Sequence, residues 1–123
     1  MQELKTYTLV IGASENPERY SNKAIISLRR HGFLVHAIGL RPGKVLDVTF
    51  QTGQPVFTDI DTVTLYLSLR NQEPMIDYVL SLSPRRIIFN PGTENPYFED
   101  RARAQGIVVE EACTLVLLSL AQY

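Results

Sequence analysis

The residues best placed to do chemistry lie in one turn, Gly12, Ala13 and Ser14, which runs off an apolar segment and toward an amphipathic one. Gly12 lets the backbone turn with no Cβ in the way. Free amides in such a turn, aligned with the N-terminus of a following helix, form a site for phosphate. Ser14 adds a hydroxyl donor. The stretch falls short of the full G-x-G-x-x-G fingerprint, because Glu15, Asn16 and Pro17 follow. A plain tight turn capped by Ser14 or Ser21 would use the same residues. Placement inside a β-α-β unit favours phosphate, since loops at the switch point are where such folds bind. The turn is also long and polar. Arg19 can pair with a phosphate and Tyr20 can cover a flat or apolar group, although solvated loop residues would look the same.

The end of the second apolar run bears on which nucleotide is bound. NAD sites place an Asp or Glu there to hold the ribose diol. Here the chain reads Gly39, Leu40, Arg41, Pro42, Gly43, Lys44, with no acid until Asp47. Arg41 and Lys44 offer positive charge instead, which suits a ligand with an extra phosphate on its ribose. NADP and coenzyme A both carry one. Other chemistries find little support. The two histidines, His31 and His36, and the single Cys113 form no metal-ligand spacing, and no Ser/His/Asp order is present. Cys113 reads as a buried side chain near a helix start, where a lowered thiol pKa leaves thiol exchange as the lesser alternative.

The elements that must position these residues alternate between short β-branched runs and amphipathic segments. Residues 7–11 (YTLVI) form a strand apolar on both faces, and residues 22–31 a helix stopped by Gly32. Residues 33–38 form the second strand. A loop without periodicity covers residues 39–54, and residues 55–57 are a short strand or a tether. Strand 62–67, helix 73–82 with Pro74 in its first turn, and strand 86–89 follow. Helix 96–105, strand 107–109 and terminal helix 111–121 complete the chain. This alternation calls for a single α/β domain over residues 1–123. We expect a doubly wound, Rossmann-like fold with a mainly five-stranded parallel sheet and its ligand at the carboxyl ends of the strands.

Composition is that of a globular protein, 45% apolar and 20% charged. A net charge of −1 argues against a nucleic-acid partner. The start of the chain does not read as a signal peptide, and the longest mainly apolar stretch, residues 112–123, is too short to span a bilayer. With one cysteine, these features lead us to expect a cytoplasmic protein without a membrane partner.

VIGASENPERYSNKA, followed by Pro42, Gly43 and Lys44 and then by Gly53, Gln54, Pro55, Val56 and Phe57, resembles the coenzyme-A-binding domain family. These are small Rossmann proteins similar to the N-terminal part of succinyl-CoA synthetase α subunits, and the resemblance covers essentially the whole chain. It implies Gly12, Ala13 and Ser14 at the phosphates, with Arg19 and Ser21 nearby. It matches Lys44 to the lysine of the Pro-Gly-Lys loop. Ser68, Leu69, Arg70 and Asn71 would lie at the adenine and pantetheine portions. Gly92, in Asn90-Pro91-Gly92, stands where many small members carry a Gln-x-Gly element. A synthetase needs a phosphohistidine segment, and neither His31 nor His36 follows a late glycine-rich loop. The expectation is a module that binds coenzyme A or an acyl-CoA without chemistry of its own. The alternatives are an NADP-dependent or CoA-transferring enzyme, with Cys113 or a partner chain supplying the reactive group, and an interaction module that has lost its ligand. The residues do not specify a protein partner.

Overall fold

In the computed structural model, which describes residues 4–123, the first strand β1 (Tyr7–Ala13) buries Leu9, Val10 and Ile11 to 1% exposure or less. Burial of consecutive residues requires cover on both faces, which a parallel sheet provides. β2 (Leu34–Gly39) and β5 (Ile60–Leu65) flank β1, and β6 (Arg86–Phe89) and β7 (Val108–Glu111) continue beyond β5. The sheet order is β2-β1-β5-β6-β7, all parallel. The chain therefore crosses outward from β1 to β2 and then returns to the other side of β1. That reversal separates the loops leaving β1 and β5 and opens a crevice at the carboxyl ends.

Two apolar layers hold the sheet. On one face Ile25 and Leu28 of α1 (Tyr20–Arg30) pack with Val10, Val35 and Ala37, and Leu118 of α5 (Thr114–Ser119) joins them. On the other, Leu9, Val63, Ile87 and Phe89 meet Val79 and Leu80 of α3 (Ile76–Ser81) and Phe98 and Ala102 of α4 (Pro96–Ala104). Gly32 follows α1 with φ of +84° and Gly106 follows α4 with +78°, the left-handed exits expected of these glycines.

Beyond shifts of two residues or so at element bounds such as those of α1, β5 and β7, three regions differ from the sequence-based expectation. Residues 39–54 are not a featureless loop. They contain an antiparallel hairpin, β3 (Gly43–Val45) and β4 (Val48–Phe50), whose Val45, Val48 and Phe50 enter the α1-side core. Its trailing end covers the β2 edge, where the Gly39 N–H donates to Gln51 O at 3.0 Å. The helix expected over 73–82 starts earlier, as α2 (Leu69–Gln72), and passes through a 3₁₀ turn (Glu73–Met75) holding Pro74 before α3. Gln72 explains the early start: it is fully buried, and its Nε2 donates to Leu67 O at 2.9 Å and Thr93 O at 2.8 Å. The last helix keeps only six residues, because Glu111 belongs to β7 and Cys113 is extended at the helix N-cap. Residues 55–57 are a tether rather than a strand; Phe57 stacks on His36 with ring centroids 4.4 Å apart.

Candidate phosphate-binding cleft

β1 ends in a turn that its neighbour requires to be glycine. Gly12 has φ of +100°, and a Cβ there would lie 2.8 Å from the Tyr66 carbonyl oxygen, just past β5. The Tyr66 N–H in turn donates to Ile11 O at 2.9 Å, which locks the two segments together. Beyond the glycine the loop is held by its own polar groups. Ser14 Oγ accepts the Asn16 N–H at 3.1 Å, and Asn16 Oδ1 accepts the Glu18 N–H at 3.0 Å. Buried Asn22, on α1, donates its amide to Ser14 O at 2.9 Å. Arg19 caps α1 in extended conformation without a side-chain hydrogen bond. The Asn22 N–H turns back to Arg19 O at 3.1 Å, which leaves the Tyr20 and Ser21 amides as the donors at the positive end of the helix dipole.

These segments form one wall of an open cleft of about 1090 Å³ at the carboxyl ends of β1, β2, β5 and β6. The structure brings most of the expected residues to it. Gly12, Ala13, Ser14, Arg19, Tyr20 and Ser21 line the wall from β1 to α1. Arg41 lines it after β2, Ser68 and Asn71 after β5, and Gly92 after β6. Lys44 and Arg70 are not part of the lining. Alternation along β3 puts Val45 in the core and leaves Lys44 exposed, and its backbone N–H donates to Glu15 Oε2 at 3.0 Å. Arg70 lies on α2 between Ser68 and Asn71; those two, three residues apart, share a helix face that Arg70 does not.

Several lining residues escaped the sequence reading. Phe50 arrives with the unrecognised hairpin, and Leu40, Tyr66, Leu67 and Thr93 complete the apolar and hydroxyl surface. The period-2 alternation around Tyr66 was the available signal for that residue. Burial pushes the Tyr66 phenol up to about 12, so it is neutral at physiological pH. Two acids, Glu15 and Glu18, also line the cleft beside Arg19 and Arg41.

A family profile described as CoA binding domain matches residues 6–119. The chain belongs to the CoA-binding domain family. A crystal structure of an uncharacterized protein is 40% identical and superposes with a TM-score of 0.92, over 98% of this chain and 100% of the other. The structure of cell-free ID.343 from Thermus thermophilus is similar in fold at 19% identity, with a TM-score of 0.84 over 97% of this chain and 91% of that one. A hypothetical protein from Pyrococcus horikoshii, at 22% identity, gives a TM-score of 0.80 over 93% and 81%. A search of curated proteins finds no match.

Within this CoA-binding domain the loop after β6 is pinned from beneath. Asn90 is 2% exposed; its Nδ2 donates to Thr64 Oγ1 at 2.6 Å and Leu65 O at 2.9 Å, and its Oδ1 accepts the Thr114 N–H at 2.9 Å. One side chain thereby joins β5, β6 and the start of α5. Cys113 is half-buried and is not among the lining residues. His31 hydrogen-bonds Ser27 O within its own helix at 2.7 Å, and His36 is stacked between Tyr7 and Phe57. Among the described residues no group of three or more His, Cys, Asp or Glu could hold a metal, and no helix is long and apolar enough to cross a membrane.

Proposed function

We propose that this chain is a binding module for coenzyme A or an acyl-CoA, with the diphosphate on the Gly12–Ala13–Ser14 turn and the first turn of α1. The reading rests on one observation: a family member's cleft, at the point where strand order reverses, is lined by that turn, by Arg19 and by Arg41. Anions favour a helix N-terminus with unpaired amides. The chain carries no acid of its own at the end of β2, the usual holder of a ribose diol, and the Glu15 carboxylate that reaches the following loop is engaged by the Lys44 N–H. Arg41 enters the wall there, which suits the ribose 3′-phosphate. With phosphates at β1 and the nucleoside toward β2, the pantetheine arm runs across the ends of β5 and β6, past Ser68 and Asn71 to Gly92. The lysine of the Pro-Gly-Lys loop, Lys44, lies outside the wall and acts on the same phosphate only through its longer-range charge.

Titration calorimetry with CoA and dephospho-CoA tests this reading. A charge-assisted hydrogen bond contributes about 1.5–3 kcal/mol. Arg41→Ala should therefore weaken CoA about ten- to a hundredfold and leave dephospho-CoA nearly unchanged, with Lys44→Ala giving the smaller loss. In thermal melts, CoA at about 100 times its Kd should stabilise the domain by about 2.7 kcal/mol. Absence of any CoA stabilisation, or a larger shift with NAD, would overturn the assignment.

A further inference from the structure

The two ends of the cleft differ in how they treat negative charge. At the β1–β2 end Arg19 and Arg41 line the wall and offset Glu15 and Glu18, and Arg19 starts a helix whose amides lack a side-chain cap. At the β6 end the corresponding donor is already taken. The Gly92 N–H, on the cleft wall, donates to the Glu94 carboxylate at 2.8 Å. The loop has little freedom to release it. Thr93 bonds Asn90 O through its N–H at 2.9 Å and its hydroxyl at 2.7 Å, and its own carbonyl accepts from buried Gln72.

Glu94 also has acidic neighbours. The Glu111 carboxyl is held above its ordinary range, first by its hydrogen bond with the Glu99 carboxylate, with the Glu94 charge adding to the effect. The cation paired with this group is Arg103, 3.5 Å from Glu99. Asp100 shares that guanidinium at 3.2 Å, so the side chains beside the loop that ends the cleft carry more negative than positive charge.

We infer that Glu94 makes the β6 end of the cleft select against acyl groups that carry a carboxylate, so that the ligand is free CoA or a CoA thioester of an uncharged acid. The inference rests on the CoA reading and on the direction it gives the pantetheine arm. An acyl group at the end of that arm reaches the Gly92 loop, where a second carboxylate would find its amide occupied by an anion and only the uncharged Pro91, Gly92 and Thr93 on that part of the wall. A neutral acyl chain meets Pro91, Leu67 and Thr93 without that repulsion.

The test compares butyryl-CoA with succinyl-CoA, which have the same number of acyl carbons and differ in charge. Wild-type protein should bind succinyl-CoA about fivefold more weakly, the scale of one like-charge contact in a solvent-exposed site. The gap should narrow as salt is raised. Glu94→Gln keeps an oxygen to accept the Gly92 N–H while removing the charge, and should bring the two affinities together. Equal affinities in wild type, or a gap that persists in Glu94→Gln, would refute the role of Glu94 while leaving CoA binding intact. Failure of both proteins to bind CoA itself would instead overturn the underlying reading, and this inference with it.

Discussion

Removing the Asn90 side chain should cost the domain a large part of its stability, and the size of the loss follows from what the amide holds. Asn90→Ala breaks the hydrogen bonds to Thr64 Oγ1, Leu65 O and Thr114 N. Thr64 keeps a partner, since its hydroxyl lies 2.8 Å from Thr114 Oγ1. Leu65 O and the Thr114 N–H lose their side-chain partner in a site where Thr64 and Thr114 are fully buried. Each unsatisfied buried group costs about 1–3 kcal/mol, so the pair costs about 2–6 kcal/mol. That is a sizeable share of the roughly 5–15 kcal/mol typical of a domain. Urea unfolding followed by circular dichroism should show a lower midpoint at unchanged m-value. Asn90→Asp adds a pH signature. Its carboxylate cannot donate to Leu65 O, whereas the protonated acid can, so its pKa is raised in the folded state above the usual value of about 3.9. The associated stability is present below the unfolded pKa and is lost as pH rises through the folded one. The deficit against wild type should therefore shrink on acidification from neutrality. A loss below about 1 kcal/mol for Asn90→Ala, or a pH-independent deficit for Asn90→Asp, would refute the assignment of Asn90 as the joint between β5, β6 and α5.

Gly12→Ala should destabilise by more than about 2 kcal/mol, combining left-handed strain with a backbone collision. Gly92→Ala, with φ of +90° but open space for a Cβ, should cost only about 1–2 kcal/mol; equal losses in paired urea melts would contradict the contact with Tyr66. Glu111→Gln should raise the Tm at pH 7, because a carboxyl whose folded pKa is raised contributes stability only on the acid side. That advantage should vanish below the ordinary value of 4.5, and a Tm difference independent of pH would contradict the Glu99–Glu111 contact.

The sheet was legible because its strands announce themselves locally. The run at residues 86–89 is a strand with the expected bounds, and Gly32 and Gly106 stop helices where the reading placed them. What was not legible depends on distant partners. The β3–β4 hairpin turns through Leu46 at φ of +53°, a conformation that residue rarely adopts and that no Asn-Gly or Gly pair signals. The turn is secured from outside, by Arg29 of α1 clasping Asp47 through two hydrogen bonds of 2.9 and 2.7 Å. Gln72 is the same kind of case. A polar residue that reads as helix surface is fully buried because Leu67 and Thr93, far apart in sequence, both present carbonyls to it.

The same distinction bears on Pro42-Gly43-Lys44, which borders the cleft through Pro42 while Lys44 stands outside it. A Cβ on Gly43 would fall 2.7 Å from Glu15 Cγ and 2.7 Å from Phe50 Cζ. The glycine leaves room for Glu15 to lie against the hairpin and accept the Lys44 N–H. That contact turns an acid of the loop after β1 onto a backbone donor and clamps that loop to the loop after β2. The Pro-Gly-Lys segment thus meets the loop after β1 through its backbone N–H. Arg41, the residue immediately before it, is in the wall of the cleft, and the charge argument made for two cations transfers mainly to one.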